Sequence, residues 1–140
     1  MTGRTAGPPP LRDLASLLSE LRPTLHADRY VFASARQHDP ALPAEAMATI
    51  REEEGVTLVL PVEAARRAGL RASPVFCCIT LRVFSDLTAV GLVSTVSGRL
   101  ATLGIPCNVV SAFHHDHLFV PEADAERAMA ALRELQRGQP

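Results

Sequence analysis

Phe76-Cys77-Cys78-Ile79-Thr80-Leu81-Arg82-Val83-Phe84 is the run from which the fold is read. It is rich in β-branched and aromatic residues and predicts a strand over 76–84. After a polar corner, Ser85-Asp86, the small-residue stretch from Leu87 to Leu103 has helical character and ends on Gly104-Ile105-Pro106, a helix stop. Two further apolar runs, Cys107 to Phe113 and His117 to Val120, flank the polar turn His114-His115-Asp116 and predict a hairpin. Pro121 closes the second run, and Glu122 to Gln136 reads as another helix. Strand, helix, hairpin and helix make most of a ferredoxin-like βαββαβ unit, an α+β fold with helices on one face of an antiparallel sheet. Strand 76–84 is expected at the centre of the sheet.

The preceding half carries a second, different incomplete unit. Residues 1–10 are Gly, Pro and small polar residues, expected as a disordered tail. Leu11, Leu14, Leu17, Leu18 and Leu21 fall at helical spacing, and Pro23 stops that helix. Residues 29–35 form a strand, and 37–44, with Pro40 and Pro43, a loop. Strands over 47–51 and 56–60 join at Gly55. Pro61 opens a helix over 62–68 that Gly69 closes. The unit 11–73 thus lacks a first strand, and the unit 74–136 lacks a fourth. Each is expected to complete its sheet with the other, in tandem about a pseudo-twofold, because uncovered strand edges invite aggregation.

Composition removes several functions. A net charge of −1 supplies no basic field for nucleic acid or an anionic membrane. No apolar run approaches the roughly 20 residues that span a bilayer, and the first ten residues lack the apolar segment of a secretory signal, so a cytoplasmic location is expected. All 14 basic residues are arginine, which excludes Schiff-base chemistry and a phosphate-loop lysine. Cys77, Cys78 and Cys107 have no zinc-site spacing and are expected to be reduced and buried. No nucleophile-elbow, metalloprotease or glycine-rich phosphate motif is present, and Glu52-Glu53-Glu54 reads as a solvated turn, so no enzyme is expected. His114, His115 and His117 with Asp116 are the densest group of metal-ligand types. A turn fans consecutive side chains apart, so neither a metal nor a cofactor is expected there, and a metal-binding protein is the lesser alternative.

Ser85-Asp86-Leu87-Thr88-Ala89-Val90-Gly91-Leu92, Leu103-Gly104-Ile105-Pro106-Cys107-Asn108-Val109-Val110 and His115-Asp116-His117-Leu118-Phe119-Val120-Pro121 resemble the small bacterial stand-alone proteins of tandem ACT domains. The resemblance covers about the last two-thirds of the chain. It implies a regulatory module that binds an amino acid or similar small molecule where two such units meet, as a homodimer or fused tandem, with output through a partner protein. It also implies that Asn108 and Val109 face the ligand groove. The residues themselves point to the strand-to-helix corner. Ser85 or Asp86 can cap the helix, and the N–H groups of Leu87, Thr88, Ala89 and Val90 can hold a carboxylate. Asp86 or Asn108 would then take the ammonium. Gly91 and Gly98 would share one bare helix face open to close packing. The competing reading is a structural interaction module whose groove receives a partner protein.

Overall fold

The computed structural model describes residues 7–39 and 42–139. Of the expected tail, residues 1–6 lie outside the described part; Gly7 to Pro10 have no regular secondary structure. The chain runs α1 (Leu14–Ser19), β1 (Pro23–Ala35), β2 (Ala48–Glu52), β3 (Gly55–Pro61), α2 (Val62–Arg67), β4 (Arg71–Ala72), β5 (Phe76–Leu81), α3 (Leu92–Thr102), β6 (Asn108–Ser111), β7 (Asp116–Pro121) and α4 (Ala125–Gln136). A seven-stranded sheet takes the order β2-β3-β1-β5-β7-β6, with β4 alongside the far end of β1. Every pairing between these strands is antiparallel.

β1 joins the two halves, and only its second part is predicted as a strand from the sequence. Its start pairs with β5, Pro23 opposite Leu81 and Leu25 opposite Ile79, while Tyr30 to Ala35 pair with β3. β4 adds at Ala33 and Ser34. The second half of β1 with β2, β3 and β4 repeats the strand order that β5, β6 and β7 take with the first half of β1. Residues 23–25 therefore stand where the fourth strand of the C-terminal unit belongs, so the completion expected from sequence runs one way only: the N-terminal unit uses its own β4 at the equivalent place. The N-terminal unit is incomplete in another way: it has its first strand, in β1, and among the described residues no helix separates β1 from β2. Pro61 and Pro121 occupy matched places, opposite Tyr30 and Phe76, each ending a strand and leading into helical turns. Proline fixes φ near the helical value and lacks only an N–H that a first turn leaves free.

Alternation along the strands sorts side chains onto two faces. Cys77, Ile79, Leu81, Leu118 and Val120 meet Leu17 of α1 and Leu21 just after it, Leu92, Val96 and Leu100 of α3, and Ala128, Met129 and Leu132 of α4. Val31, Ala33, Leu58 and Leu60 meet Ala64 and Ala65 of α2. Full burial of one such aliphatic side chain contributes about 1.5–3 kcal/mol. The other face has no helix among the described residues. It gathers Tyr30, Val59, Cys78 and Phe119, with Phe32, Phe76 and Met47 packed around them. Its rings meet edge to face, Phe32 at 5.3 Å and Tyr30 at 5.9 Å from Phe119. Among the described residues no helix is long and apolar enough to cross a membrane.

α3 begins at Leu92, five residues after the expected start. Asp86 causes the delay. Its carboxylate accepts from the Thr88 N–H at 2.8 Å and from the Thr88 hydroxyl, and its carbonyl accepts from the Ala89 N–H at 2.9 Å. A short acid that bonds its own following backbone competes with helix formation. Gly91 then turns the chain at φ +103°, and Thr95 donates the first helical bond to its carbonyl at 3.0 Å. A Cβ at Gly91 would lie 3.3 Å from Leu14 Cδ2, so α1 also packs closely there. Gly91 and Gly98 accordingly do not share a helix face, and a Cβ at Gly98 would meet nothing within 4 Å. The predicted stop holds: Gly104 has φ +70°, and Ile105 donates to the Leu100 carbonyl.

Candidate functional site

The corner between β5 and α3 opens into a cleft of about 410 Å³. Ser85, Asp86, Leu87, Ala89 and Gly91 line it together with Leu92, Val93, Ser94, Ser111 and Asp116. Leu11 holds the corner from outside, donating to the Phe84 carbonyl and accepting from the Asp86 N–H, both at 2.8 Å. α3 presents its N-terminus with no side-chain cap. Free N–H groups and the positive end of the helix dipole there suit an anion.

Asp86 is already engaged. Besides Thr88 it accepts from Arg12 Nε at 3.0 Å, and these donors, the Thr88 hydroxyl first, lower its carboxyl to about 2. Asp116, expected only as part of a turn, is the buried carboxylate of the cleft, 6% exposed at the start of β7. Its register opposite Ser111 and Leu81 brings it under the corner.

Asn108 and Val109 do not line this cleft. Asn108 pairs with Phe119 at the opposite end of β6, and Ser111 occupies the end nearest the corner. Thr88 and Val90 are in the corner segment but outside the lining; Val90 is 84% exposed. The first-turn N–H groups of the helix are at 92–94 and not at 87–90, because the helix starts later. A larger cleft of about 520 Å³ runs between Asp28, Arg29, Pro61, Arg66 and Glu122. Both of its arginines are already engaged, Arg29 with Glu122 at 2.6 Å and Arg66 with Glu63 at 2.8 Å, so it offers an anionic ligand group little unmet positive charge.

The histidines adjacent in sequence separate in space. His114 packs on Phe113 and Phe84, at 4.9 and 5.4 Å between ring centres. His115 Nδ1 lies 3.3 Å from the Val83 carbonyl. His117 instead faces the helix-free side, where Nδ1 is 2.8 Å from the Thr80 hydroxyl. The same hydroxyl lies 2.6 Å from His26 Nε2, and Cys78 sits beside them. Burial lowers both imidazoles, and the neighbouring Arg82 and, for His117, His26 act in the same direction. Burial also pushes the Cys78 thiol up to about 11. The sequence signal for His26 is the polar–apolar alternation of Thr24-Leu25-His26-Ala27-Asp28, which marks a half-buried strand with His26 on its polar side but does not say which strands it pairs with.

The ACT domain profile matches residues 9–78, and a second ACT domain profile matches residues 75–134. The chain belongs to the ACT-domain family, with two domains in tandem. A Vibrio cholerae protein of unknown function, VC0802, described as a possible transport protein, is similar at 43% identity and a TM-score of 0.78, over 88% of this chain and 95% of that one. Agrobacterium tumefaciens protein Atu0741 shares the fold at 24% identity and a TM-score of 0.67, over 81% and 87% of the two chains. The regulatory subunit of aspartate kinase from Thermus flavus shares it at 12% identity and a TM-score of 0.58, over 81% and 95%. No curated protein matches the chain.

Proposed function

We propose that this chain is a non-catalytic regulatory protein that binds an amino acid in the cleft beside α3 and passes the signal to a partner protein. The observation that carries this reading is an uncapped helix N-terminus and a buried carboxylate, Asp116, lining one cleft. A zwitterion needs an anion site and a cation site within a few ångströms, and the two walls supply them. The ligand carboxylate meets the N–H groups of Leu92, Val93 and Ser94, and its ammonium meets Asp116. Asp86 shapes the corner and does not bind the ammonium. The architectural likeness to a regulatory subunit of aspartate kinase supports the regulatory reading, and three free cysteines fit a reducing cytoplasm. A thermal-shift screen over the twenty amino acids tests it. A ligand at 100 times its Kd should stabilise the protein by about 2.7 kcal/mol. The matching amine without its carboxylate, and the matching acid without its amine, should each have a much smaller effect. A flat response to all twenty would remove the amino-acid assignment.

The cleft is closed by a second copy of the chain. Among the described residues five large hydrophobic side chains are exposed, and four of them, Leu87, Val90, Val93 and Phe113, lie in the two segments that bound the cleft. Apolar groups concentrated around one opening mark an interface. Light scattering should therefore show a dimer, and Val90→Glu, which puts a charge at its centre, should convert it to a monomer with an unchanged far-ultraviolet spectrum. A wild-type monomer at every concentration would leave the cleft open and the dimer reading wrong.

A further inference from the structure

On the face of the sheet that no helix covers, His26, Cys78 and His117 turn one ligand atom each toward a common point. These atoms all lie within 4.8 Å of one another. Three separate strands deliver them. Cys78 and His117 come from β5 and β7, where Thr80 pairs with His117 and Cys78 with Phe119. His26 comes from the irregular part of β1: between Leu25 and Arg29 that strand advances four residues while β5 advances two. Two extra residues leave the inside–outside alternation intact, so His26 stays on the same face as Tyr30. Tyr30 packs edge to face on its ring at 6.2 Å.

We propose that His26, Cys78 and His117 form a site for a late first-row transition-metal ion of the zinc class. Two imidazoles and one thiolate are ligands this class accepts, and three protein ligands leave a fourth position for water or an exogenous donor. The spacing requires little movement. Bond lengths of about 2.0–2.1 Å to nitrogen and about 2.3 Å to sulfur put tetrahedral ligand atoms roughly 3.3–3.7 Å apart, so the three atoms close in by about 1 Å. The Thr80 hydroxyl, at 2.6 and 2.8 Å from the two ring nitrogens, aims both rings in the metal-free protein. One hydroxyl proton lets it donate to one ring and accept from the other. On binding it rotates away, the ring that was donating moves its proton to its outer nitrogen, and Cys78 releases its thiol proton to solvent. The metal ion then bonds to two nitrogen lone pairs and one thiolate, with no change of oxidation state.

This site is separate from the amino-acid cleft, because Asp116 and His117 are neighbours on β7 and point to opposite faces. The test uses tag-free, reduced full-length protein titrated with Co²⁺, followed by Zn²⁺ competition. One equivalent of Co²⁺ should produce a thiolate-to-cobalt charge-transfer band in the near ultraviolet, with tetrahedral d–d bands in the visible, and Zn²⁺ should abolish both. Cys78→Ser should remove the charge-transfer band, whereas Cys77→Ser and Cys107→Ser should keep it. His26→Gln and His117→Gln should each weaken binding about a hundredfold, and His115→Gln should not. Circular dichroism checks each fold; should Cys78→Ser fail to fold, substitution of the half-buried His26 probes the site from its other side. Absence of the charge-transfer band in the wild type, or its persistence at wild-type affinity in His26→Gln, would overturn the proposal. Neither result bears on the amino-acid screen, which can be run in chelator.

Discussion

Asp116→Asn should weaken the binding of the best amino-acid ligand about tenfold to a hundredfold while leaving the fold intact. The side chain is nearly isosteric, so the strand register opposite Ser111 and Leu81 is kept and only the charge is lost. A hydrogen bond to a charged group is worth about 1.5–3 kcal/mol, and each 1.4 kcal/mol is a factor of ten in Kd. Burial of Asp116 places the effect at the upper end, because little water screens the pair. Calorimetry on the wild type and the variant, with the ligand and its analogue lacking the amine, closes a thermodynamic cycle. The analogue should bind both proteins alike, since it lacks the group that Asp116 holds. Glu53→Ala, in the turn between β2 and β3, should change nothing. Unaltered affinity for the full ligand in Asp116→Asn would place the ammonium elsewhere.

The largest loss of stability should follow Phe119→Ala, about 3–5 kcal/mol in urea unfolding with a nearly unchanged denaturant slope. Phe119 is fully buried on the face that has no helix to move in and fill a gap. Its ring meets Phe32 and Tyr30 edge to face, and its backbone lies between Cys78 and Asn108 in the sheet. Against a total of about 5–15 kcal/mol for a domain, the variant would unfold at a markedly lower midpoint. Phe113→Ala is the comparison: that ring is 67% exposed, and its removal should cost under about 1 kcal/mol. A loss below about 1 kcal/mol for Phe119→Ala would mean that the surrounding rings collapse into the space, and that this face is less rigid than its packing indicates.

Most element types and the family were legible in the sequence alone, whereas the N-terminal unit, expected to lack a first strand, has it in β1. The apolar, β-forming runs at 76–81 and 117–120, the helical character of 92–102, and Gly104 with Pro106 are local signals, and each acts within a few residues. Composition likewise disfavoured nucleic acid and lysine chemistry, because charge and residue type need no coordinates. Where distant residues meet is settled only in three dimensions. The first half of β1 carries only a short polar–apolar alternation, Thr24 to Asp28, and its partner strand and its register break between Leu25 and Arg29 are set by pairing with β5. The start of α3 is set by Asp86 bonding to Thr88 and by Arg12, 74 positions earlier in the chain, against a helical propensity that runs back to Leu87. Asn108 is expected at the corner and Asp116 in a turn, yet register along β6 and β7 reverses their places in the cleft. Adjacent histidines diverge because successive strand and turn residues face different ways. His26 and His117 converge for the complementary reason: an antiparallel sheet places residues far apart in sequence side by side on one face.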